Sequence, residues 1–394
     1  MTPAAKPLQG LRILSVEQFG AGPYGTMFLA DLGAEVIKIE NAAIGGDPAR
    51  HTGPHLLGDC DSQYFQTWNM NKRSITLDLK SDAGKAQLND LLAGADALVN
   101  NLRGDLPAKL GLDYKSLSAD HPALVCLHIS AYGRDNDRAS WPGYDYLMQA
   151  EAGLMDLTGE PEGPPSRFGA PSLVDHMTGI TASVGLLAAL HRARETGQGC
   201  DVDTSLFDVA LHQLGYSAIW YLNEQHQVAR QARSAHLSVA PVQTFRTADG
   251  WIFIMCMTEK FWLALIRILK LGDLKSDHRF TNAKLRKQHQ HELTQILDET
   301  FSQAATSHWL DKLTGHLPVA PVLTLSEAME NPLLATNSMV NEVQHPHAPK
   351  GLKVLANPIK IDGQRLEQKI CSALGADNES VLATSSLVET GTAK

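Results

Sequence analysis

Cysteine is sparse: five residues in 394, at Cys60, Cys126, Cys200, Cys256 and Cys371, odd in number and never spaced C-x-x-C. That excludes a disulfide framework and the usual zinc spacings, and it fits a reducing compartment. Long blocks of one charge are also missing. The net charge is −9, which argues against the basic face of a general nucleic-acid binder. An anionic ligand would need a local basic pocket. Residues 1–10 contain no apolar signal core, and no stretch approaches membrane-spanning length. There is no internal repeat. These absences predict a soluble, cytoplasmic protein with no membrane and no nucleic-acid partner. What is present is an ordinary globular mix, 43% hydrophobic and 20% charged, long enough to bury a core without staples.

The first two hundred residues alternate strand-like and helix-like segments. Residues 11–16, 35–39, 74–79, 97–101 and 124–129 read as strands. Residues 23–32, 82–93 and 178–194 read as helices, the last rich in small residues that suggest close packing. This βαβ rhythm predicts an α/β fold on a mainly parallel sheet. After about residue 225 the texture changes. A hairpin over 242–257 turns at Asp249-Gly250, and amphipathic helices follow through His316. The expected layout is a large domain from 1–224 and 326–394 and a small α+β domain from 225–325. Pro346, Pro349 and Pro358 suggest a loop-rich return, then a helix and a frayed tail.

Gly20-Ala21-Gly22-Pro23-Tyr24-Gly25 follows a strand, opens a helix and matches G-x-G-x-x-G. Glu40 ends the next strand where a ribose-binding acid would sit. Three readings compete: a nicotinamide site, a turn for another ADP-bearing cofactor such as coenzyme A, and a packing turn with no ligand.

A series of ordered blocks goes further. Residues 8–14 (LQGLRIL), 32–40 (LGAEVIKIE), 46–50 (GDPAR), 71–80 (NKRSITLDLK), 143–149 (GYDYLMQ), 175–179 (DHMTG), 203–208 (DTSLFD), 240–250 (APVQTFRTADG) and 357–360 (NPIK) span nearly the whole chain. Together they resemble the class III CoA-transferases, the family of formyl-CoA transferase and the carnitine CoA-transferases. The resemblance implies a Rossmann-like large domain made by both chain ends, an inserted small domain, and a homodimer of interlocked rings. It implies no permanently bound cofactor, coenzyme A and acyl-CoA as substrates, and a small carboxylic acid as co-substrate. It makes Asp175 the nucleophile and puts coenzyme A contacts on Phe19, Gly20, Ala21, Leu77, Lys80, Asn101, Leu102, Lys109 and Tyr132. Lys80 and Lys109 suit the polyanionic ADP portion, with Arg50 and Arg73 as further candidates. Two positions depart from formyl-CoA transferase: Gly20 replaces a Gln and Asn41 an Arg. A run of four glycines in that relative is replaced by residues 235–239 (AHLSV).

Read from the residue alone, Asp175 is also a good cap for a helix beginning near Met177. His176 reads as local structure, since side chains adjacent in sequence do not face each other on a helix. Trp141, Trp220 and Trp251 read as packing residues, and the pairs His289/His291 and His345/His347 as solvent-facing or loop residues rather than metal ligands. Four activities are compared: CoA transfer through Asp175, acyl-CoA racemisation, nicotinamide-dependent oxidoreduction, and coenzyme A binding without catalysis. Racemisation requires an acid–base His where this chain has Tyr144, whose ordinary pKa is about 10.

Overall fold

Apolar strands fully covered on both faces belong in a parallel sheet flanked by helices, and the computed structural model, which describes residues 6–169 and 171–385, has that arrangement. Six parallel strands, β1 (Arg12–Val16), β2 (Glu35–Glu40), β3 (Arg73–Thr76), β4 (Ala97–Asn100), β5 (Val125–Ser130) and β6 (Cys200–Ser205), form one sheet in the order β3-β2-β1-β4-β5-β6. Helices α1 (Ala21–Asp31), α2 (Gln63–Asn69), α3 (Asp82–Leu92), α4 (Leu106–Leu110), α5 (Tyr114–Leu117), α6 (Asp145–Glu151), α7 (Leu173–Thr196) and α8 (Leu206–His212) accompany it. Leu14, Ile37, Ile75, Leu98 and Cys126 fill one core cluster with Leu88, Leu91 and Leu92 of α3.

The chain divides into two units. The first is drawn from Met1–Ala152, Phe168–Gly215 and Pro332–Lys394, the second from Gly153–Arg167 and Tyr216–Asn331. In the first unit β3 is an edge strand, which would leave a row of unpaired donors. The chain end covers it. The Ser74 N–H donates to Asp377 (3.0 Å), the Thr76 N–H donates to Asn378 (2.8 Å), and Val381 joins the core. The return over 340–355, expected as loop, is an antiparallel hairpin of Val340–His345 and Ala348–Leu355. Proline is tolerated there because Pro346 falls between the two strands and Pro349, inside the second, lies at the register shift with no residue paired opposite it.

Helix α7 corrects the reading that nothing reaches membrane-spanning length: its 24 residues are long and apolar enough by composition. Its small residues serve packing. A Cβ on Gly179 would lie 2.5 Å from the carbonyl oxygen of Ala21, and one on Gly25 2.5 Å from that of Gly179, so α1 and α7 approach at a distance only glycine permits.

The second unit has helix α9 (Tyr216–Glu224), then strands β7 (Val242–Arg246) and β8 (Trp251–Met255), then helices α10 (Glu259–Ile268), α11 (Ala283–Gln288), α12 (Gln290–Phe301) and α13 (Thr306–Leu313), and strand β9 (Val319–Pro321). The strands form an antiparallel sheet, β7-β8-β9, with a core of Phe245, Ile254, Trp262, Leu297 and Phe301.

Candidate active site

The sheet order reverses direction between β1 and β4. The connections from these neighbours leave in opposite senses and open a crevice at their carboxyl ends. A cavity of about 320 Å³ lies there. Residues 18–21 after β1, 101–103 after β4, 129–131 at the end of β5 and 141–144 form its walls, and Asp175 reaches it from α7.

Asn101 joins the first two of these loops: its Nδ2 donates to the Gln18 carbonyl (2.7 Å) and its Oδ1 accepts the Gln18 N–H (2.9 Å). Phe19 sits at φ 57°, a left-handed conformation costly for a bulky residue. Buried charge holds it. The Phe19 N–H donates to Asp47 Oδ1 (3.1 Å), Asp47 pairs with Lys38 (2.9 Å), and Lys38 Nζ donates to the Glu17 carbonyl (2.8 Å). The loop thereby presents Gly20 directly to Asp175. A Cβ at position 20 would lie 2.3 Å from Asp175 Oδ2, so the glycine is the condition for Asp175 to be where it is.

Asp175 is not the cap of a later helix. Helix α7 begins at Leu173, its cap position Ser172 makes no side-chain cap hydrogen bond, and Asp175 is in the first turn. The Asp175 N–H donates to Asp145 Oδ2 (2.9 Å), and Asp145 Oδ1 accepts from Gln149 Nε2 (2.5 Å). Asp145 and Gln149 are buried. Burial, and after it the charge of Asp145, pushes the Asp175 carboxyl up to about 7.

A carboxyl held more tightly protonated in the folded chain than in the unfolded one opposes folding once it ionises. The penalty is absent below about pH 4 and grows as pH rises towards 7. Asp175→Asn is therefore expected to stabilise the protein at pH 8 by about 2 kcal/mol, roughly half the full linkage because the carboxylate is partly open to the cavity. Urea unfolding of both forms at several pH values tests this: the gap should close as pH falls to about 4. A gap independent of pH would mean that Asp175 ionises normally.

Of the expected binding residues, Phe19, Gly20, Ala21, Asn101 and Leu102 line the cavity with Asp175. Leu77, Lys80, Lys109 and Tyr132 do not. Leu77 is buried in the core, and Lys80 is exposed at a turn. Lys109 is an exposed cation paired with Asp105 (2.7 Å), and the Tyr132 hydroxyl donates to Glu151 (2.8 Å). Arg50 and Arg73 are corrected as phosphate ligands. Arg50 is fully buried against Glu40 (2.7 Å) and the Cys60 carbonyl (3.1 Å), and Arg73 pairs with Glu35 (2.6 Å) and Asp377 (3.2 Å). Trp141, read as a packing residue, is half-exposed at the cavity wall. His345 is buried against Asp61 (3.1 Å) rather than free in a loop. Among the described residues no His, Cys, Asp and Glu cluster could hold a metal.

Sequence reasoning missed Arg103, Asp145 and the partners of His176. The signal for Arg103 was its place directly after Asn101-Leu102. Asp145 lies in the ordered block 143–149, but nothing along the chain pairs it with Asp175; the neighbours of His176 had no signal, because they meet it only through the fold.

The nicotinamide reading fails on Glu40. Its carboxylate accepts from Arg50, from Ser74 Oγ (2.7 Å) and from the Asp47 N–H (2.9 Å), and it is buried. Burial alone would raise it, but Arg50 and Lys38 bring it down to about 2. No capacity remains for a ribose. The glycines of the loop are likewise taken up by close packing, Gly20 against Asp175, Gly22 against Asn101 and Glu17, and Gly25 against Gly179.

Comparison with known proteins agrees with this geometry. Residues 8–378 match the family model "CoA-transferase family III". The chain is 33% identical to human succinyl-CoA:glutarate CoA-transferase over 86% of its own length and 77% of that protein. It is 33% identical to acetyl-CoA:oxalate CoA-transferase of Acetobacter aceti over 91% and 90%. The crystal structure of a CAIB/BAIF family protein from Brucella suis superposes with a TM-score of 0.83 at 31% identity, covering 97% of this chain and all of that one. The chain therefore belongs to CoA-transferase family III and is an acyl-CoA:carboxylate CoA-transferase.

Proposed function

We propose that this enzyme moves coenzyme A between two small carboxylic acids through covalent intermediates on Asp175. The observation that carries this is a carboxylate at the end of the switch-point cavity, partly desolvated, with Gly20 packed directly against it. Ionised Asp175 attacks the thioester carbonyl of the donor. A carbon–oxygen bond forms, the carbon–sulfur bond breaks, and CoA thiolate leaves a mixed anhydride. The thiolate then attacks the aspartyl carbonyl, releasing the donor acid and leaving an aspartyl-CoA thioester. The acceptor carboxylate attacks that thioester, and the thiolate returns to the acceptor carbonyl to give the new acyl-CoA and free Asp175. Each step breaks one acyl bond as it makes another, so no oxidant, reductant or nucleotide is consumed. No permanently bound cofactor is required, and coenzyme A enters as substrate.

Phe19, Gly20, Ala21, Asn101 and Leu102 are assigned to the thiol-bearing arm of coenzyme A. Lys80 and Lys109, joined by Arg103 at the cavity edge, are assigned to its phosphates, where exposed cations suit a polyanion. Leu77 and Tyr132 contribute from behind, as packing. The acid pair includes a dicarboxylate, by analogy with the glutarate and oxalate enzymes. The working unit is an interlocked homodimer in the cytoplasm. Free cysteines support the compartment, and unburied apolar residues such as Ile219 and Leu222 on α9 and Val184 on α7 support a partner.

The test is intact-protein mass after incubation with a panel of acyl-CoAs. A CoA-sized, hydroxylamine-sensitive adduct on the wild type identifies the donor and the thioester. Exchange of the α-proton with deuterated water and no adduct would replace this reading with racemisation.

A further inference from the structure

We infer that His176 is a positioning residue, clamped between Tyr24 and Trp68 so that the first turn of α7 holds Asp175 at Gly20; this rests on the proposed role of Asp175.

The start of α7 needs such an anchor. The four N-terminal N–H groups of a helix have no partner within it, and a side-chain cap usually supplies one. Ser172 makes no cap hydrogen bond and is itself left-handed at φ 54°. A first turn in that state frays unless tertiary contacts hold it. Two are present. One is the hydrogen bond from the Asp175 N–H to Asp145. The other is the His176 ring, which stacks on Tyr24 of α1 with centroids 4.1 Å apart and planes 18° from parallel.

At the edge of the ring, Trp68 Nε1 donates to His176 Nε2 at 3.1 Å. That bond requires Nε2 to be unprotonated and leaves the ring proton on Nδ1, so it fixes both tautomer and orientation. Trp68 is buried and is packed edge-on by Tyr64, with centroids 4.6 Å apart. Burial also lowers the His176 pKa, which keeps the ring neutral as the clamp demands. Thus α1 and α2 grip the residue that follows the nucleophile. His176 does not touch the reacting atoms. It sets where the backbone of Asp175 lies, and a displacement of about 1 Å at a reacting group can cost on the order of 100-fold in rate.

His176→Ala, His176→Gln and Trp68→Phe, each assayed as the full-length enzyme, separate this role from simple packing. His176→Ala is expected to lower kcat by about 10- to 100-fold with KM for acyl-CoA within about twofold, because the loops at 18–21 and 101–103 are untouched. His176→Gln keeps an acceptor for the Trp68 indole and should recover kcat to within about fivefold of wild type. Trp68→Phe should lower kcat about three- to tenfold in wild type but have no further effect in the His176→Ala background. A His176→Ala enzyme with wild-type kcat overturns the inference. So does failure of Gln to rescue, or an effect on KM alone. If the wild type forms the aspartyl-CoA adduct while the His176 variants form it at the wild-type rate, the inference falls and the Asp175 mechanism stands. If the wild type forms none, the Asp175 mechanism falls first.

Discussion

Asp175→Ala is expected to lower kcat for CoA exchange by about 10⁴-fold or more, as loss of a covalent nucleophile does. The Kd for acyl-CoA should stay near wild type. The cavity is held by the Asn101–Gln18 pair and by the Asp47–Lys38 support under Phe19, none of which involves the Asp175 side chain. The variant should form no hydroxylamine-sensitive adduct. Steady-state exchange and intact mass measured together make the result decisive. A variant retaining more than about 1% of kcat would place the nucleophile elsewhere, and the nearest carboxylate, Asp145, would be the one to examine. Asp145→Asn itself should cost less, because it removes a partner of the Asp175 backbone and a source of its raised pKa, not the attacking group.

Lys72→Met should produce the largest loss of stability among single changes near the site, about 3–5 kcal/mol by urea unfolding. Lys72 Nζ is fully buried and bonds Glu17 Oε1 (2.8 Å), the Pro23 carbonyl (2.9 Å) and Asn69 Oδ1 (2.9 Å). Burial pulls its pKa down to about 8 in spite of Glu17. Removing the ammonium leaves Glu17 with its Oε2 already lacking a hydrogen bond and one opposite charge fewer. For Glu17, burial works to raise the pKa while Lys72 and Lys38 hold it low, so the loss of one cation is felt directly. Adding Glu17→Gln to Lys72→Met should recover part of the loss, because the uncompensated charge disappears. If the double variant is less stable than Lys72→Met by the full cost of Glu17→Gln alone, the two groups are not coupled. Because Glu17 also opens the loop that presents Gly20, Lys72→Met should lower kcat as well.

The βαβ rhythm was legible because parallel strands buried on both faces are written as apolar runs, such as 12–16 and 125–130, with glycine or capping residues between them. The ordered blocks led to the family and to Asp175. Residues whose role depends on distant partners were misread. Arg50 and Glu40 each looked available to a nucleotide, yet they occupy each other. His176 looked like local structure because its neighbours in the chain say nothing of Tyr24 and Trp68, which lie about 150 and 110 residues away in sequence. The hairpin at 340–355 looked like loop because its prolines were read as breakers, although they fall where no ladder hydrogen bond is required.

The sequence by itself determined the βαβ alternation of the first two hundred residues, and its ordered motifs pointed to the carboxylate at position 175, since periodicity and motifs are local properties. Only the tertiary structure decided what that carboxylate is. Burial beside Asp145 sets its protonation, and contact with a glycine from a loop 155 residues earlier sets its access. Desolvation and charge act through space, and no reading along the chain contains those distances.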